Sequence, residues 1–304
     1  MDSSAPRVFD RALIRRRLLR AERTGFATFL LERAADDLVE RLGAVTRPFA
    51  TALDIGTPAP IAAETIRRVR PDAFVARLAP IAWGGSPIPV AIGDEEALPV
   101  GPASIDLAVS LLALQSANDL PGALLQIRRA LKPDGLFLAC LFGGDTLTEL
   151  RLAFAAAESE LEGGASPRVA PFADVRSLGG LLQRAGFALP VVDRETVTVR
   201  YGNAFRLMAD LRQMGLANPL AERRRIPLRR QTLLRMAEIY AERFADPDGR
   251  IRATFDMVWL SGWAPHESQQ KPLRPGSARA RLADALGVPE LGAGGAPRDE
   301  GGGT

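Results

Sequence analysis

The chain has 304 residues, 47% hydrophobic and 25% charged, with a formal net charge of +3. That is enough to bury a large core, as one elaborated domain or two, and it excludes a largely disordered chain. A single cysteine, Cys140, and a single histidine, His266, exclude an intrachain disulfide and make a Cys/His zinc site untenable, so no metal site is expected.

The first stretch, RVFDRALIRRRLLRAERTGF, is arginine-rich enough to pass for a transit peptide or a membrane-surface helix. Asp10, Glu22 and its continuation into a second helical stretch favour a solvated helix packed on the domain. Phe26, Leu30, Ala34, Leu38 and Leu42 then recur every four residues, one face of an amphipathic helix closed by Gly43 and Pro48. FATALDI is a short buried strand, and IAAETIRRVR the helix after it. AFVARLAP is a second strand and IPVAIGDEEALPV contains a third. IDLAVSLLAL, a continuous apolar run, has the look of a parallel-sheet strand. LPGALLQIRRAL is a helix, KPDG a turn and GLFLACLF a fifth strand.

Strands alternating with helices predict right-handed βαβ units and an α/β, doubly wound sheet. Ligands of such sheets bind beyond the carboxyl ends of the strands, where Asp54, Asp94 and Ser110 fall. After about residue 145 come a helix over 145–163, a second over 174–187 and an alternating strand over 190–201. Two more helices follow, the first opened by Tyr201, and then a final strand over 255–265. The expected organisation is N-terminal helices over 1–48, one domain over 49–287 with helical additions after about 145, and a disordered glycine-rich tail over 288–304.

The segment IDLAVSLLALQSANDLPGALLQIRRALKPDGLFLACLFGGDTLTELR resembles the second half of a class I S-adenosylmethionine-dependent methyltransferase. More narrowly, GDEEALP, EGGASPRVAPF, GGLLQRAGF, GWAPHESQQKPLRPGSA and VFDRALIRRR are similar to the methyltransferase-like assembly factors of respiratory complex I. A more distant resemblance is to malonyl-carrier-protein methyltransferases. The resemblance implies a Rossmann-like methyltransferase fold and S-adenosylmethionine as cofactor. It also implies a protein substrate or a respiratory-complex subunit as partner, and protein methyl transfer or arginine hydroxylation as reaction. A bacterial member would be cytoplasmic and a eukaryotic one would sit in the mitochondrial matrix. Fold alone does not fix the reaction, and no catalytic base emerges from the residues.

The resemblance also assigns a cofactor site: Asp54, Gly56 and Thr57 in the turn after the first strand, Asp94 and Glu95 at the adenine, and Ser110 at the end of the fourth strand. Here the sequence departs from the family pattern. Pro58 and Pro60 replace glycines, removing two N–H donors and any positive φ there. Arg77 stands where a carboxylate would accept the ribose hydroxyls, and arginine accepts no hydrogen bonds. It is expected to be a solvated surface residue, or else to meet a phosphate-bearing ligand. Gln115 and Ser116 replace a His-Trp pair. If each change removed about 1–2 kcal/mol, the sum of ~3–6 kcal/mol would push cofactor affinity towards millimolar or abolish it. The alternatives are thus a weakened S-adenosylmethionine enzyme or a cofactor-poor assembly protein that binds without methyl transfer.

Other features have plainer expectations. Asp145 and Thr146 would cap the helix after the fifth strand. Trp259 and Trp263 belong to the core. HESQQKPLRPGSA is a surface or partner-facing loop. ERRRIPLRR, residues 222–230, is a solvated helix start or a patch for an acidic protein. Nucleic acid is not expected, because that patch lacks interleaved aromatics. No apolar run reaches the roughly 18–20 residues of a membrane span.

Overall fold

The computed structural model describes residues 7–270. The chain divides into two units, 1–266 and 267–304, and every helix and strand among the described residues belongs to the first. The glycine-rich tail from 288, and most of HESQQKPLRPGSA, lie outside the described residues.

Two helices lead, α1 (Arg11–Thr24) and α2 (Phe29–Gly43). The alternating core follows: β1 (Thr51–Ile55), α3 (Ile61–Val69), β2 (Phe74–Ala79), β3 (Val90–Ile92), β4 (Ile105–Leu111), α4 (Leu120–Ala130) and β5 (Leu131–Phe142). Then come α5 (Thr148–Glu162), α6 (Val175–Arg184), β6 (Ala188–Tyr201), α7 (Ala204–Gln213), α8 (Arg230–Phe244) and β7 (Ile251–Trp263). The sheet runs β3-β2-β1-β4-β5-β7-β6. Strands β1 to β5 pair in parallel, while β7 is antiparallel to both β5 and β6.

The sheet is covered on both faces, and β5 shows how. Leu136, Leu138, Cys140 and Phe142 join one core cluster, while Phe137, Ala139 and Leu141 join the other. This is the period-2 alternation of a pleated strand buried on both sides. The first cluster gathers α2, α3, α5, α7 and α8, and the second gathers α4 and α6. On α2 the residues Leu30, Ala34, Leu38 and Leu42 are all buried, as their spacing predicts.

Three local expectations need correction. KPDG does not separate α4 from β5: it forms the first residues of β5, with Asp134 at φ 66° supplying the bend. Tyr201 ends β6, and Asn203 is the residue that caps α7, its side chain accepting from the Arg206 N–H. Asp145 and Thr146 do not cap α5, whose cap is Leu147 at φ 55°. Thr146 is instead buried against β7, where its hydroxyl donates to the Asp256 carbonyl and accepts from the Asp256 N–H. The core expectation for Trp259 holds: it is buried, with the Arg41 guanidinium 4.3 Å from its ring centroid.

Candidate functional site

A cavity of about 290 Å³ lies beyond the carboxyl ends of the parallel strands. Gly56 and Pro58 line it after β1, Pro80 after β2, Glu95 after β3, and Leu112, Ala113, Gln115 and Ser116 after β4. This is where a doubly wound sheet places its ligand. Helix α1 and the segments 168–172 and 214–219 close it from the other side.

The turn after β1 owes its shape to Gly56. Its φ is 75°, its N–H donates to the Leu78 carbonyl at 2.7 Å, and a Cβ there would lie 3.1 Å from that of Ala113. Gly56→Ala is therefore expected to cost about 1–2 kcal/mol from the left-handed conformation alone, read as a lower midpoint in denaturant unfolding. The prolines fit this backbone without strain. Pro60, at φ −70°, precedes α3 and accepts from the Glu64 N–H, while Pro58 faces the cavity without a donor. Thr57 is buried away from the cavity, its hydroxyl accepting from the Leu111 N–H at 3.0 Å.

Asp54 and Arg77 pair in register across β1 and β2 and form a buried ion pair. Arg77 Nε donates to Asp54 Oδ2 at 2.9 Å and Nη2 to the Thr57 carbonyl at 2.8 Å. Arg77 is 2% exposed, so the surface expectation is wrong. The reason is Asp54: a fully buried carboxylate draws the guanidinium inward, and the Thr57 carbonyl offers a second acceptor. Neither residue lines the cavity. Burial pushes Asp54 up to about 6 despite the opposing pull of Arg77, and its Oδ1 has no partner among the described residues.

Asp94 and Glu95 are engaged by α1. Arg11 Nη2 lies 3.1 Å from Asp94 Oδ1 and 2.5 Å from Glu95 Oε1, and Nη1 donates to the Ser116 carbonyl at 3.1 Å. One turn on, Arg15 Nη2 donates to Asp94 Oδ2 at 3.2 Å. Each Asp94 oxygen thus accepts from an arginine of α1. Glu95 is buried, which raises its pKa against the pull of Arg11. The residues before α1 are tied down as well. The Phe9 N–H donates to Asn118 Oδ1, the Asp10 N–H to the Pro219 carbonyl, and Arg223 pairs with Asp10. The chain at 8–17 thereby straps the β3 and β4 loops to the segment 217–223.

Ser110 is buried within β4, lines no part of the cavity, and its hydroxyl has no partner among the described residues. Of the residues expected at the site, the structure brings Gly56 and Glu95 to the cavity wall, with Asp94 beside them. Asp54, Thr57 and Ser110 form a buried layer behind it. The residues missed are Arg11 and Arg15, whose i, i+4 spacing on an amphipathic helix was the available signal, and the pair of buried Glu158 with the partly buried Arg168. That pair holds segment 166–172: Ser166 N–H and Arg168 Nε donate to the Glu158 carboxylate at 2.6 and 2.7 Å.

The model of a methyltransferase-domain family matches residues 26–190. The human protein named arginine-hydroxylase NDUFAF5, mitochondrial, is 40% identical over 294 residues, covering 93% of this chain and 85% of that protein. The zebrafish (Danio rerio) protein of the same name is 38% identical, covering 93% and 91%. The chain belongs to the NDUFAF5 family of methyltransferase-domain proteins. The malonyl-[acyl-carrier protein] O-methyltransferase of Halorhodospira halophila is also similar, 34% identical over 89% of this chain and 93% of its own. Among solved structures, the YcgJ protein of Bacillus subtilis superposes with a TM-score of 0.53 at 13% identity, covering 77% of this chain and 99% of its own. Together with the family model, that likeness shows the class I methyltransferase fold of this NDUFAF5 family member, a Rossmann-like sheet with helical additions.

Proposed function

We propose that the protein is an assembly-type member of its family, acting on a subunit of respiratory complex I, with a crevice that has lost the ordinary seat for S-adenosylmethionine. The observation that carries this is the engagement of Asp94 and Glu95 by Arg11 and Arg15, which sets the chain's own cations on the adenine-acceptor positions as competitors for an incoming amino group. Two further features support it. Arg77 spends its donors on Asp54 and Thr57, so the ribose-acceptor position offers no carboxylate. Pro58 meets the cavity without an N–H. What remains of the cradle is Gly56. These residues do not fit the cofactor in its ordinary pose. The relatives named arginine hydroxylases favour a second reading, hydroxylation of an arginine of a partner protein, in which dioxygen and a two-electron reductant from outside the chain would give one oxygen to the arginine and one to water. A bacterial source would place the work in the cytoplasm and a eukaryotic one in the matrix.

Calorimetric titration with S-adenosylmethionine and S-adenosylhomocysteine tests the first reading. The expected result is no saturable binding until roughly millimolar ligand, as a loss of ~3–6 kcal/mol from a micromolar site implies. Micromolar binding would overturn it. The second reading predicts that a respiratory-complex subunit gains the mass of one oxygen when co-expressed with the protein; unchanged mass counts against it.

A further inference from the structure

The cavity extends well beyond the strand ends. Its deeper part is apolar, walled by Phe142, Leu150, Phe154, Phe172, Leu211 and Phe255. Among the described residues its charged lining consists of Arg11, Arg15, Arg17, Arg168, Arg212 and a single carboxylate, Glu95.

The ion pairs do not balance this lining. Arg11 and Arg15 face Asp94 and Glu95, and Arg168 faces Glu158. Arg17 and Arg212 have no carboxylate within ion-pair reach among the described residues. Arg17 Nη1 donates to the Ala217 and Asn218 carbonyls, which satisfies hydrogen bonds but not charge, and Asp10, the carboxylate that acts on it from a distance, is already paired with Arg223. Burial works against that charge, and neighbouring Arg223 adds to the effect. Two buried donors on lining residues, Arg11 Nε and Arg15 Nε, also lack an acceptor among the described residues.

We propose that this cavity binds an anionic amphiphile: a carboxylate on an unbranched apolar chain, with the chain among the phenylalanines and the carboxylate at Arg17 and Arg212. Surplus guanidinium charge at the edge of an apolar chamber selects for an anion. A paired guanidinium and carboxylate form charge-assisted, bidentate hydrogen bonds, stronger than neutral ones. At about 290 Å³ the cavity is at the small end of ligand pockets, which suits a chain of moderate length. The proposal goes beyond the assembly reading and stands without it.

The test titrates the full chain calorimetrically with decanoate, decanol and decylamine, which share a tail and differ in head-group charge. Decanoate is expected to bind at one site, about tenfold or more tighter than either of the others. The double variant Arg17→Gln, Arg212→Gln, with its melting temperature unchanged, is expected to abolish that preference and leave decanol binding as it was. Leu150→Trp, which fills the chamber, is expected to weaken all three. Equal affinity for the three head groups, a preference that survives the double variant, or no saturable decanoate binding would each overturn the proposal. If the double variant proves unstable, Arg212→Gln alone decides, because that residue is exposed near the end of α7 and its truncation spares the core. Titrating the same samples with S-adenosylmethionine keeps the two readings apart. Micromolar cofactor binding would overturn the assembly reading and leave the head-group comparison intact.

Discussion

Arg77→Met is expected to lower the unfolding free energy by about 3–5 kcal/mol, because it leaves Asp54 as an uncompensated buried charge. Asp54 is fully buried and Arg77 nearly so, and the pair sits in register between two central parallel strands. Water cannot replace the lost partner there. The double variant Asp54→Leu, Arg77→Met is expected to recover most of the loss, since a well-packed apolar pair often equals a buried ion pair. Urea unfolding of the three proteins checks both statements. If the single variant were as stable as the wild type, the pair would have to be open to water.

The same site gives a pH dependence with a definite sign. Burial raises the folded-state pKa of Asp54 from 3.8 to about 6. A raised carboxylate favours folding in its protonated form. That contribution is fully present below the unfolded value of about 4 and is lost as pH climbs through about 6. Asp54→Asn is expected to flatten this fall between about pH 4 and pH 6, measured as the change in urea midpoint across the window.

Arg168→Ala is expected to cost a comparable amount, about 3–5 kcal/mol, and to act locally. Glu158 is completely buried on α5, with Arg168 and Ser166 as its partners. Removing the guanidinium strands the carboxylate inside the protein and releases the segment that walls the cavity at Val169 to Phe172. Hydrogen exchange should speed up over 163–172 before it does in the sheet. Glu158→Gln keeps the acceptor for Ser166 and removes the charge, so it should be milder than Arg168→Ala. If it were as damaging, the loss would come from packing rather than from an unpaired charge.

The sheet was readable from the sequence because its signals are local. Apolar runs such as IDLAVSLLAL and GLFLACLF carry their own length and burial, and the helices between them carry a four-residue rhythm. The site was readable only in outline. Position along the chain put Asp54, Asp94 and Ser110 near the strand ends and the resemblance added Gly56, Thr57 and Glu95, of which Gly56 and Glu95 line the cavity with Asp94 beside them. What position could not supply was the partner of each charge. Arg77 looked like a surface residue because most arginines are, and only the strand register, 23 residues apart in sequence, reveals that it lies against Asp54. Arg11 and Asp94 are separated by 83 residues, and Arg223 and Asp10 by 213. Such pairings are set by how the elements close on one another, so they leave no local trace.

The strap at 8–17 bears on how the chain can be divided. The matched family segment, 26–190, is a natural boundary for anyone wishing to express the familiar half alone. Cut there, Glu95 would remain buried with its arginine gone, Asn118 would lose Phe9, and one side of the cavity would be missing. The common core of the fold is therefore not a module that can be lifted out. In this protein the flanking segments complete what the middle begins, and a tag or truncation near residue 10 is an alteration of the binding chamber itself.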